Sequence, residues 1–111
     1  MKSFFTLAEL QAERAASGKR YLEFLRVPAL SSGIYVLPKE GLDQQTPHHQ
    51  DEIYYVLSGR ARMKITANDQ APEDQLAAAG TVIFVEAGAE HQFHSIEEEL
   101  VVLVVFGPAE A

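Results

Sequence analysis

From Tyr21 onward the sequence is a succession of short runs rich in aromatic and β-branched residues, each closed by a turn signal, so no helical period can develop. The runs are YLEFLRV (21–27), followed by PALSSG; IYVLP (34–38), followed by KEGLDQQTP; and HQDEIYYVL (49–57), ended by Ser58-Gly59. ARMKITA (61–67) is ended by Asn68-Asp69 and Pro72, QLAAA (75–79) by Gly80, and TVIFV (81–85) by Gly88. HQFHSI (91–96) is ended by the acidic residues 97–99 and LVVLVVF (100–106) by Gly107-Pro108. About eight strands at this spacing predict an all-β fold, an antiparallel barrel or jelly roll.

Ahead of the strands, Thr6 followed by Glu9 forms a capping-box pattern, and the alanine-rich segment behind it predicts a helix over about 6–17 that Gly18 terminates. The barrel then occupies about 20–107, and the 111 residues are expected to form one domain. Within the strands, Met63 and Ile65 share one face while Arg62 and Lys64 share the other, the pattern of a strand with one buried and one wet side. Arg60, Arg62 and Lys64 therefore read as a solvated face. LVVLVVF has no polar side, so both of its faces need cover. The outer cover is either the N-terminal helix or a second copy of the chain, which makes a homodimer an expected assembly.

Composition narrows the chemistry. The chain has no cysteine, which leaves nitrogen and oxygen as the only metal ligands. A formal charge of −7 without a dense Lys/Arg cluster speaks against nucleic acid or an anionic membrane as a partner. No apolar run is long enough to span a bilayer and MKSFFTLAEL lacks a long apolar core, so a cytoplasmic location is the expectation. The acidic residues 97–99 and the Ala-Glu-Ala tail read as surface features.

Against that background TPHHQDE (46–52) stands out. Residues two apart on a strand point the same way, which groups His48, Gln50 and Glu52 and sends His49 and Asp51 to the opposite side. An imidazole and a carboxylate converging inside a barrel need a compensating partner, and a divalent cation supplies it well. A further nitrogen ligand is available at His91 or His94, just after the Gly88 turn. Two histidines and a carboxylate leave coordination positions open, as in non-haem iron sites.

These segments resemble the two motifs of the cupin superfamily. In the first, Gly41 opens the motif, His48 and Glu52 fall on ligand positions, and IYYVLS separates Glu52 from the closing Gly59. The second resembles Gly80 to Ser95, with Gly88 and then His91 at the family's spacing. Three positions depart from the pattern: Thr46 stands where the family has its first histidine, Glu86 where it has proline, and Ser95 where it has asparagine. The resemblance thus carries over three metal ligands, His48, Glu52 and His91, with Gln45, His49 and His94 as candidates for a fourth. Thr46, Tyr54 and Phe93 are expected to line the pocket, although Tyr54, Phe93 and Tyr35 also suit a plain core.

The resemblance implies a double-stranded β-helix barrel, often dimeric, holding Fe, Mn, Ni, Co or Zn. Two functions follow from it: a metal-dependent enzyme, dioxygenase- or isomerase-like, on a small oxygen-rich organic substrate, or a non-catalytic module that binds a small molecule or metal. No Ser-His-Asp order, phosphate-binding loop or dinucleotide motif offers another chemistry.

Overall fold

The computed structural model describes residues 1–67 and 69–109. Helix α1 (Leu7–Ser17) precedes β1 (Tyr21–Val27), β2 (Leu30–Leu37), β3 (Asp51–Thr66), β4 (Glu73–Ala78), β5 (Val82–Val85) and β6 (Glu90–Gly107). Thr6 caps the helix, its Oγ1 accepting from the Glu9 amide at 3.2 Å. Gly18 ends it at φ 70°, a left-handed conformation that glycine adopts without penalty. Every strand pairing is antiparallel, in the order β1-β2-β6-β3-β4, with β5 pairing β3 on the same edge as β4. The architecture is the antiparallel jelly roll expected from the strand series.

Four boundaries differ from the sequence reading, the first at PALSSG, whose Leu30 to Gly33 lie inside β2 and pair with β1 and β6. Ser58-Gly59 does not end a strand: β3 runs through it, and the β3–β6 register slips between Val56 and Arg62, with Gly59 at φ 96°. The acidic residues 97–99 are likewise inside β6 rather than in a turn, exposed as expected. Both cases are one feature, because a bulge lets a strand bend without breaking its ladder, and turn-forming residues are what a bulge needs. β3 also begins only at Asp51, so His48 and His49 precede it. Asn68, read as part of a turn signal, and Glu110 and Ala111 of the tail lie outside the described residues.

The bend organises the molecule. One half of β3 pairs with β5 through Glu52 to Tyr55, and the other half pairs with β4 through Arg60 to Ile65. Tyr54 and Val56 from the first half share one core cluster with Ala61 and Met63 from the second, and with Leu37, Phe93, Val104 and Phe106. Two walls therefore enclose one interior. Burial alternates along β3 as the pattern requires: Glu52, Tyr54, Val56, Ala61 and Met63 are buried, while Arg60, Arg62 and Lys64 are exposed.

Outside the barrel, Leu10 of α1 packs with Ile34, Val36 and Val101. The helix thus covers the Val101 end of LVVLVVF. Beyond it the outer face carries Tyr55, Val82, Ile53 and Phe84, all exposed. Register places Leu103, Tyr55 and Val82 in one cross-strand row and Val105, Ile53 and Phe84 in the next.

Candidate metal centre

Glu52 and Ile65 belong to the same strand, and a straight strand would hold them about 43 Å apart at about 3.3 Å per residue. His91, the cross-strand partner of Ile65, nonetheless reaches Glu52, with Nε2 3.2 Å from Oε1. The ribbon must fold back on itself between them, and the Gly59 bulge lies near the midpoint. Equal arms on either side of the bend bring Glu52 and His91 to the same mouth of the barrel from opposite walls.

His48 arrives from the connecting segment instead. Its carbonyl accepts the Gly88 amide at 2.7 Å, and Asp51 Oδ1 accepts the Ala87 amide at 2.8 Å, so the turn at Gly88 and the approach to β3 are tied together. Strand parity was the sequence argument for grouping His48 with Glu52. The structure brings the two together through this backbone tether. The ligating atoms of His48, Glu52 and His91 all lie within 4.8 Å of one another.

The donor set fits a divalent cation. His91 Nδ1 lies 3.1 Å from the Ala89 carbonyl, an acceptor only, so Nδ1 carries the proton and Nε2 presents its lone pair. That lone pair faces a carboxylate oxygen, with both side chains fully shielded from solvent. Two acceptors at this distance repel unless a proton or a metal lies between them. Burial lowers the pKa of His91 and of His48, which disfavours an imidazolium in either place, and a divalent ion would compensate the pair without one. Atoms bound at about 2.1 Å to one ion in tetrahedral or octahedral geometry stand roughly 3.0 to 3.4 Å apart, so the widest pair of the set would draw together as an ion binds.

The remaining candidate ligands are dispersed. His49 is exposed, and so is Thr46, which was expected to line the pocket and instead lies at the surface. His94 is held elsewhere, its Nε2 2.9 Å from Asp74 Oδ2 and its Nδ1 3.0 Å from Ser95 Oγ. Gln45 approaches the site, but its Oε1 accepts the Tyr54 hydroxyl at 3.0 Å. Tyr54 and Phe93 are buried in the core, and Tyr54 lies near His91 with ring centroids 5.9 Å apart. Burial and the nearby Glu52 charge raise the Tyr54 pKa well above its ordinary value, so this hydroxyl stays protonated and donates.

Asp43 is the residue that sequence reasoning missed. It is 2% exposed and gathers the segment before β3. Its Oδ1 accepts the Tyr35 hydroxyl at 2.7 Å, and its Oδ2 accepts Gln45 Nε2 at 2.9 Å and the Phe93 amide at 2.8 Å. Burial and the Asp43 bond also push the Tyr35 pKa upward. An aspartate among the polar residues of KEGLDQQTP gave no signal of this, because the bond that ties it to β6, from the Phe93 amide, spans 50 residues of sequence.

The model of the Cupin domain family matches residues 33–106. The chain is 48% identical over 107 residues to the uncharacterized protein SCO3923 of Streptomyces coelicolor, covering 96% of this chain and 97% of that one. The solved structure of BH2720 from Bacillus halodurans superposes with a TM-score of 0.74 at 15% identity, over 96% of this chain and 82% of the other. Oxalate decarboxylase from Bacillus subtilis, a protein with Mn(II) centres, gives a TM-score of 0.70 at 18% identity. That match covers 79% of this chain and only 27% of the decarboxylase, so it speaks for the fold and not for the larger enzyme's activity. The chain belongs to the cupin family.

Proposed function

We propose that this chain is a single cupin domain that holds one divalent metal ion through His48, Glu52 and His91 and acts as a metal-dependent enzyme on a small organic substrate. The observation that carries the reading is His91: its Nδ1 proton is committed to Ala89 while its Nε2 faces the buried Glu52 carboxylate at 3.2 Å. A metal-binding cupin fold with Mn(II) among its structural neighbours supports the same assignment. When bound, the ion supplies Lewis-acid polarisation of a ligand oxygen. The chain's own residues orient it: the Ala89 carbonyl holds the His91 ring, and the Gly88 amide holds the backbone of His48. Tyr54 donates to Gln45, which keeps that amide beside the site.

One observation favours the second reading, a binding module without turnover. Asp43, the other buried carboxylate near the site, has both oxygens occupied by hydrogen bonds and does not offer a general base. The metal reading comes first in either case.

Its test is a calorimetric titration of metal-free protein with Mn(II), Fe(II), Co(II), Ni(II) and Zn(II). One of these ions is expected to bind at one site per chain and to stabilise the fold by about 2.7 kcal/mol at a hundredfold excess over Kd. His48→Ala is expected to weaken binding by at least tenfold, whereas His49→Ala leaves it unchanged. Equal indifference to both substitutions would remove the metal site, and oxygen-consumption or turnover assays on the loaded protein then separate enzyme from module.

We further place a second copy of the chain against the exposed face of Ile53, Tyr55, Val82 and Phe84, where the two apolar rows continue outward from the strip covered by α1.

A further inference from the structure

Beside the His48–Glu52–His91 cluster lies a second space, a cavity of about 190 Å³ lined by Tyr21, Tyr35, Gln45, His48, Val104 and Phe106. His48 belongs to both. One side of its ring looks to His91, with centroids 5.5 Å apart, and another to Phe106 at 4.9 Å. The Tyr21 ring meets Phe106 and Tyr35 edge-on at 6.4 and 6.3 Å, so three aromatic rings bound the space. Gln45 and His48 bring an amide and an imidazole to this lining. Nε2 of Gln45 gives one hydrogen to Asp43, which leaves its second N–H able to donate.

Size and lining together define an occupant. An apolar cavity of about 150 Å³ takes up benzene from water, so this one has room for a single ring and a small substituent. A strongly hydrated ligand, such as a sugar, would lose its water against three aromatic rings and recover few hydrogen bonds. Flat rings pack edge-to-face against such walls better than puckered ones. We propose, building on the metal-centre reading, that the cavity is the substrate pocket and takes a planar monocyclic ring, directing one oxygen substituent of that ring toward His48 and Gln45.

The structure also assigns the residue that shapes the pocket. Gly33 lies on the inner face of β2, opposite Val104 of β6, and the Tyr21 ring rests directly on it. A Cβ at position 33 would collide with that ring. Relief of that collision by a turn of the Tyr21 ring would carry the ring toward the cavity it lines. Gly33→Ala is therefore a pocket-filling substitution remote from every candidate ligand.

The test uses the full chain loaded with Zn(II), a redox-inert ion, and calorimetric titration with phenol, cyclohexanol and acetate. Phenol is expected to bind saturably and at least tenfold more tightly than either contrast, and Gly33→Ala to weaken phenol by at least tenfold with Zn(II) affinity unchanged. Tyr21→Ala opens the same wall and is expected to admit 2-naphthol, so the pocket remains testable if Gly33→Ala does not fold. Zn(II) binding without a preference for phenol, or phenol affinity untouched in a natively folded Gly33→Ala, would overturn the pocket and leave the metal centre standing. Phenol uptake by a chain that binds no metal would support the pocket and remove the metal centre.

Discussion

His91 shows how much one side chain can decide. Its neighbour Ala89, through a backbone carbonyl, sets the tautomer, and the tautomer determines that a lone pair rather than a proton meets Glu52. Burial lowers the pKa values of His91 and His48 below the ordinary 6.5, so the folded chain takes up these protons less readily than the unfolded one. The direction follows: as pH falls below about 6.5 the unfolded state protonates first, and stability is lost until the depressed native values are passed. Urea denaturation of the metal-free protein is expected to give a lower midpoint at pH 5.5 than at pH 7.5, with a smaller difference in His48→Ala. Metal affinity falls in the same direction, because the imidazole must be neutral to coordinate. A midpoint that rises on acidification would contradict the burial of these rings.

At the scale of elements, the β3 bulge carries the site. Gly59 at φ 96° occupies a backbone region costly to other residues, and an added Cβ would meet the Glu99 carbonyl and Leu100 Cα, backbone atoms that cannot rotate away. Gly59→Ala is expected to cost at least about 2 kcal/mol in denaturant unfolding, through strain and the displaced β6 ladder. It should also weaken metal binding although it touches no ligand, since the bend sets how Glu52 and His91 face each other. Unchanged stability would mean that the fold tolerates a different bend. Ser58-Gly59 was legible in sequence as a break in the strand pattern. Whether it closes a strand or bends one depends on the partner strand, which local residues do not encode.

For the whole molecule, the distribution of apolar surface makes a prediction about assembly. α1 covers Ile34, Val36 and Val101 through Leu10, and Ile53, Tyr55, Val82 and Phe84 remain exposed beside that strip. Light scattering is expected to give a dimer, and Phe84→Glu, placing a charge in the apolar row, to shift it to monomer without loss of fold. A monomer in the unmodified protein would refute the placement of the second copy. By itself the sequence determined the element types, the capped helix, the alternation of buried and wet residues over 62–65 and the glycine spacings that mark a cupin, because those follow from local periodicity and turn chemistry. Tertiary structure alone decided that two strand pairs are continuous, that α1 covers one end of LVVLVVF, that Asp43 gathers the segment before the site, and that His94 pairs with Asp74. Each of these rests on contacts between residues far apart in the chain, whose energies depend on where the bend at Gly59 folds the ribbon.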